Sequence, residues 1–171
     1  MNNEAFKYIL IGFFIVLCIY LIYRIYRFMN PYPNLNLEQF DSTNGDGTHK
    51  NMKSDFMRII NSVFGKFKKK YGFIPKVNSG FRTPEKNAAV GGKNKSSHLI
   101  GAAADISTSK MTLEQKKYLA KLFYEEGIRR FGLGSTFMHV DIGDKYDSKT
   151  YASNAFWNYG NSTEFNPLKL V

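Results

Sequence analysis

The sequence predicts an α+β fold: helices packed on a small, mainly antiparallel sheet, preceded by one membrane-spanning helix. Three observations lead there. An uncharged apolar run opens the chain at Tyr8–Tyr23. Beyond it, patterns of helical and strand period alternate and end in two consecutive strands. No internal repeat interrupts them.

The opening run, YILIGFFIVLCIYLIY, holds sixteen residues without a charge. As a helix it is about 24 Å long, a little short of a ~30 Å hydrocarbon core. Tyr8, Tyr20 and Tyr23 suit the two interfaces, and Lys7 and Arg24 can snorkel. Residues 1–29 are therefore expected to be an anchor in a lipid bilayer. The sequence that follows, Tyr23-Arg24-Ile25-Tyr26-Arg27, lacks the small residues of a signal-peptide cleavage site. Arg24 and Arg27 after the run, against Lys7 and Glu4 before it, lean toward a cytoplasmic C-terminal domain.

Residues 30–50 (NPYPNLNLEQFDSTNGDGTHK) contain two prolines, Asn-Gly and Asp-Gly, and read as a linker. His49 lies in it and is expected to be solvated. A compact domain is expected over 51–145. Met52–Lys70 places Phe56, Ile60, Val63, Phe64 and Phe67 at helical spacing, with four lysines in the last turns, where they suit the helix dipole. A short strand is expected near Ile74–Asn78. Thr83-Pro84-Glu85 starts a short helix that Gly91-Gly92 ends. Ala102–Ser107 reads as a strand. Thr112-Leu113-Glu114-Gln115 is a capping box opening a helix that runs to Glu126 and stops at Gly127. Arg129–Leu133 and Thr136–Ile142 then pair as strands. Residues 146–171 are polar and aromatic and are expected to be an irregular extension.

Net charge is +10, and removing Lys7, Arg24, Arg27 and Glu4 with the anchor leaves +8. Such a surface favours polyanions: nucleic acid, anionic lipid or an anionic wall. No nucleic-acid motif accompanies it, so no nucleic-acid partner is expected. Cys18, inside the apolar run, is the single cysteine. An intramolecular disulfide and a zinc site built on several thiolates are thereby excluded.

Two of the three histidines fall in the stretches that carry chemistry. His98 and Asp105 lie in SSHLIGAAAD, and His139 follows in MHVD. Two imidazoles and a carboxylate make three legs of a tetrahedral zinc site with the fourth open, the layout of a catalytic metal. On one helix, a spacing of seven separates His98 and Asp105 by about 10 Å, too far for one ion. A loop histidine followed by a strand carboxylate suits the spacing better, with Gly101 turning the backbone. On the last strand, His139 can lie beside Asp105 in an antiparallel pair.

The order Ser79-Gly80-Phe81-Arg82-Thr83, Asn87, Gly91-Gly92, Ser96-x-His98-x-x-Gly101-x-Ala103-x-Asp105 and His139-x-Asp141 resembles the zinc D-alanyl-D-alanine carboxypeptidases and peptidoglycan endopeptidases of peptidase family M15. The resemblance covers roughly Asn51–Gly143. It implies a hedgehog and D-Ala-D-Ala peptidase-like fold, Zn2+ as cofactor and a peptidoglycan peptide as substrate. It implies metal ligands His98, Asp105 and His139, with Ser96 and Arg82 at the substrate. A planar guanidinium suits a carboxylate or carbonyl oxygen.

One position departs from the pattern. Many members carry an acid three residues before the last histidine as general base, and here it is Thr136. Asp141 is then the best candidate, either as base or as a group orienting a ligand histidine. Glu125 and Glu126 are weaker ones. Trp157 either covers the cleft or simply packs. The expected function is zinc-dependent hydrolysis of amide bonds in peptidoglycan stem peptides, which needs the domain on the cell-wall side, against the bias of Arg24 and Arg27. The alternative is a non-catalytic wall-binding or structural membrane or virion protein. Anchor, small size and composition fit a phage or other viral lysis factor as well as a cellular wall-remodelling enzyme.

Overall fold

The computed structural model describes residues 3–160 and 165–170. The chain divides into two units, Met1–Pro33 and Asn34–Val171.

The first unit is one helix, α1 (Asn3–Met29). Its stretch Lys7–Met29 is long and apolar enough to cross a membrane, with a mean hydropathy of 2.3 and none of it buried. The helix outruns the uncharged core of the sequence at both ends. Arg24 stays helical with its guanidinium on the Tyr20 hydroxyl at 3.0 Å. Lys7 pairs with Glu4 one turn earlier.

The second unit is built on a five-stranded sheet in the order β1-β2-β4-β3-β5. Its strands are β1 (Val77–Ser79), β2 (Ala103–Ser107), β3 (Arg130–Leu133), β4 (Phe137–Asp141) and β5 (Ala155–Asn158). All pairings are antiparallel except β3 with β5. Helices α2 (Ser54–Tyr71) and α4 (Leu113–Glu125) pack on each other. Phe56, Ile60, Phe64 and Phe67 from α2 and Leu119 and Phe123 from α4 are fully buried, as are Ile106, Phe131, Met138 and Val140 from the strands. Thr112 caps α4 with the reciprocal box its sequence predicts. The Thr83 hydroxyl accepts the Lys86 amide and caps the short α3 (Pro84–Ala89), without a reciprocal bond. A last one-turn helix, α5 (Gly143–Tyr146), follows β4.

Three expectations need correction. Residues 34–50 are not a linker. They form two 3-10 turns, Leu37–Phe40 and Thr48–Asn51, inside the second unit. Phe40 is fully buried, and the Gln39 side chain and Phe40 carbonyl accept the amides of Val77 and Phe81, so the segment covers the edge at β1. The turn residues are present, but their carboxylates close the turns on themselves: Asp41 accepts from the Gly45 and His49 amides, Asp46 from those of Thr43 and Thr48. His49 is accordingly not simply solvated, since its Nδ1 lies 2.7 Å from Asp41.

The second correction concerns the extension over 146–171. Its described part contributes β5 to the sheet, while 161–164 and 171 lie outside the described residues. The third is β1, which is shorter and later than expected. Its register slips by one between Val77, opposite Ile106, and Ser79, opposite Asp105. That bulge turns Val77 to the core face and Ser79 to the other.

Candidate metal centre

The sheet has two faces. Alternation sends Ala104, Ile106, Met138, Val140, Phe131 and Leu133 to the helices. The opposite face carries one row drawn from all five strands. Ser79 lies opposite Asp105, Asp105 opposite His139, His139 opposite Gly132 and Gly132 opposite Trp157. The neighbouring row runs Ala103, Asp141, Arg130, Ala155. A cleft of about 780 Å³ opens over these rows, with Arg82, Ser96, His98, Asp105, His139 and Trp157 among its walls.

His98 enters from a 3-10 turn (Ser97–Ile100) before β2. The Ser96 hydroxyl accepts the His98 amide and starts the turn, and Gly101 ends it at φ +68°. A Cβ on Gly101 would stand 2.1 Å from the Asn51 carbonyl oxygen, so both its conformation and its surroundings require glycine. His98 Nδ1 donates to the Gly80 carbonyl at 2.6 Å. A carbonyl only accepts, so this bond fixes the tautomer and leaves the Nε2 lone pair facing inward.

His139 is held from its far side as well. Its Nε2 lies 3.0 Å from Asp141 Oδ2, which turns Nδ1 toward Asp105 and His98. The three inward atoms form a small triangle. His139 Nδ1 to Asp105 Oδ1 is 2.8 Å, His139 Nδ1 to His98 Nε2 is 3.3 Å, and His98 Nε2 to Asp105 Oδ1 is 3.3 Å. Zinc–ligand bonds of 2.0–2.1 Å put tetrahedral ligand atoms about 3.3 Å apart. His98, Asp105 and His139 are a group that could hold a metal ion, and among the described residues they are the one such cluster.

The electrostatics also suit a cation. Burial opposes charge on Asp105, yet the hydrogen bond from His139 and the His98 imidazole beside it hold its carboxyl far below the usual carboxylate range. Burial pushes His98 below the usual imidazole value despite Asp105. Burial works the same way on His139, but Asp105 and Asp141 outweigh it and lift its pKa to about 9. The cluster thus favours one positive charge at its centre.

Arg82 lines the cleft but is already committed on two sides. Its Nη2 binds Asp105 Oδ2, and its Nε donates to Ser79 Oγ at 2.8 Å. Asp141 is 1% exposed and fully engaged. Oδ1 accepts from Arg130 Nε at 2.7 Å, the Gly143 amide at 2.8 Å and Ser97 Oγ at 3.1 Å, while Oδ2 faces His139. Its carboxyl is held below the usual range, burial notwithstanding, by His139 and Arg130. Thr136 is exposed and away from the cleft walls. Glu126 pairs with Lys66 and Ser62, Glu125 lies within reach of Lys121 on α4, and neither is among the cleft walls.

Sequence reasoning missed Arg130, Ser97, Phe137 and Tyr159. Arg130 ties the Asp141 carboxylate to the Ala152 carbonyl at 2.6 Å and stands beside the Tyr151 and Trp157 rings. The cross-strand pairing of Arg130 with Asp141 follows from the β3–β4 hairpin register, which was the available signal. Trp157 covers the cluster's flank, its ring 5.3 Å from that of His139. Gly132 makes room for it, because a Cβ there would stand 2.5 Å from Trp157 Nε1.

Compared with known proteins, the chain finds no significant match among curated sequences. A family model described as Peptidase M15 matches residues 33–141, which takes in the second unit from its first residue, Asn34, to Asp141. That match covers more than half of the chain and takes in the whole triangle His98, Asp105 and His139. The chain belongs to the peptidase M15 family.

Proposed function

We propose that the second unit is a zinc-dependent hydrolase of amide bonds in peptidoglycan stem peptides, a D-Ala-D-Ala carboxypeptidase or an endopeptidase. It acts in lysis or remodelling of the wall, on the wall side of a membrane that α1 spans. The observation that carries this reading is the inward triangle of His98 Nε2, Asp105 Oδ1 and His139 Nδ1 under an open cleft. Zinc held by those three atoms would supply Lewis acidity toward a carbonyl and an acidified water.

The chain's own residues do the rest. Gly80 and Asp141 hold the two imidazoles in the tautomers that point lone pairs inward. Arg82 steadies Asp105 and presents the remaining edge of its guanidinium to the cleft. Ser96 shapes the His98 turn and lines the cleft beside it. Lys93 and Lys95 stand at the mouth, which suits a substrate bearing free carboxylates. Trp157 shields His139 from water on its flank.

A second reading has one specific observation in its favour. Among the described residues, Asp105 and Asp141 are the carboxylates in the cleft walls, and both are bonded to cationic or N–H partners. Neither is free to take a proton from water. A wall-binding relative without catalysis would have this arrangement.

Digestion of purified peptidoglycan by the full chain, with and without a chelator, separates the two. Chelator-sensitive release of D-alanine or split stem peptides is expected. Intact peptidoglycan after incubation with folded, zinc-loaded protein would leave the binding reading in place.

A further inference from the structure

The basic end of α2 is outside the cleft and unused by the reaction proposed above. Lys66, Lys68, Lys69 and Lys70 are exposed there, and Phe73 and Ile74 follow at 39% and 37% exposure. Lys66 is committed to Glu126 at 2.7 Å, and Lys70 lies 3.8 Å from Glu114. Among the described residues, Lys68 and Lys69 form no ion pair.

The chain reaches this helix directly from α1. The Asn34 amide donates to Asn61 Oδ1 at 2.9 Å, and its side-chain amide donates to the Asn61 carbonyl at 3.2 Å. Gly65, one turn on, gives the Asn34 side chain its place, since a Cβ there would stand 2.9 Å from Nδ2. Asn61, Gly65, Lys68 and Lys69 are spaced i, i+4, i+7 and i+8 and so form one stripe on α2. Four residues, Asn30 to Pro33, separate α1 from Asn34. Whatever the angle between the units, five residue steps span no more than about 18 Å. The stripe continues only about 12 Å along the helix from Asn61 to Lys69.

We propose that this stripe and the adjoining Phe73 and Ile74 dock on anionic lipid headgroups of the membrane that α1 spans. The proposal rests on reading α1 as that span. Exposed lysines beside exposed apolar side chains suit the boundary of an anionic bilayer. The consequence is orientation. α2 covers the core face of the sheet and the cleft lies on the opposite face, so docking by α2 turns the cleft away from the lipid.

The test reconstitutes the full chain in vesicles of phosphatidylcholine alone or of phosphatidylcholine with phosphatidylglycerol. Amine-reactive labelling of outward-facing protein is read residue by residue by mass spectrometry. Lys68 and Lys69 are expected to be shielded in the anionic vesicles and open in the neutral ones. Lys93 and Lys95, at the cleft mouth, are expected to be labelled equally in both. High salt should reopen Lys68 and Lys69. With Lys68→Glu and Lys69→Glu together, shielding of Lys70 should fall about fivefold or more per charge reversed. Equal labelling of Lys68 and Lys69 in both vesicles, with the chain retained, would overturn the proposal. So would shielding that arises only on adding teichoic acid, which would assign the stripe to a wall polymer. Loss of the chain from neutral vesicles in high salt would overturn the spanning reading of α1, and the docking with it.

Discussion

The two faces of the sheet obey different rules. On the core face, Ile106, Met138, Val140 and Phe131 meet the helices, and any apolar side chain of similar volume would serve there. On the cleft face, Asp105, His139 and Gly132 share one row, and each is needed for its chemistry or its lack of a side chain. The core face supplies stability through buried area. The cleft face spends stability by burying histidines and carboxylates that must satisfy one another. The difference teaches that fold and site can be disabled separately.

The largest separation should come from the core. Phe64→Ala removes a fully buried ring from α2 and should cost about 3–5 kcal/mol in denaturant unfolding. Zinc affinity of the protein that remains folded should be unchanged. A parallel loss of affinity would mean that the two faces are not independent.

Asp141→Asn sharpens the comparison from the other side. An Asn keeps the shape but no longer holds His139 Nε2 or balances Arg130 as a carboxylate does. Zinc affinity by competition titration should fall about 10–100-fold. Full zinc affinity with lost turnover would instead make Asp141 the base.

Gly132→Ala tests the row through its smallest member. The new methyl displaces Trp157, at about 1–3 kcal/mol for the overpacking. Trp157 is the single tryptophan, so its emission reports the displacement directly. An unchanged spectrum would show that β5 yields without moving the ring.

The smallest effect lies away from both faces, where Lys145 and the Tyr146 hydroxyl bind Asp55 at the start of α2. Burial opposes the Asp55 charge, but those two partners hold its carboxyl below the usual range. Burial and Asp55 together push the Tyr146 hydroxyl up to about 12. The Asp55 contribution is complete above the usual carboxylate range and drains as pH falls through its lowered pKa. The Tyr146 contribution is complete below ~10 and is lost as pH rises through about 12. Asp55→Asn should therefore lower stability by about 1 kcal/mol or less on a neutral plateau, with the two proteins converging at both extremes of pH. A difference that grows at low pH would reverse the sign assigned to Asp55.

The core face was largely legible in the sequence. Phe56, Ile60, Phe64 and Phe67 announce a helix by their period, and Thr112 to Gln115 mark where the next begins. The strands bearing Asp105 and His139 were legible from the local pattern, and an antiparallel sheet allowed the two residues to lie side by side, but hairpin order sets only β3 beside β4, and the pairing of β4 with β2 is what the structure adds. What stayed hidden depends on contacts between distant segments. Phe40 sits among turn residues and is buried because of β1, which local composition does not encode. β5 adds to β3 in parallel from 22 residues beyond the end of β3, so no hairpin signal precedes it. The commitment of Asp141 to Arg130, Ser97 and Gly143 is a product of register and of a turn elsewhere in the chain.

The central claim is that His98, Asp105 and His139 form one metal site. Equilibrium zinc titration of the full chain beside its His139→Ala variant, each checked for fold by circular dichroism, tests it most directly. The expected result is one tightly held zinc per wild-type chain and none in a folded variant. Equal binding by both would contradict the account and move the metal elsewhere.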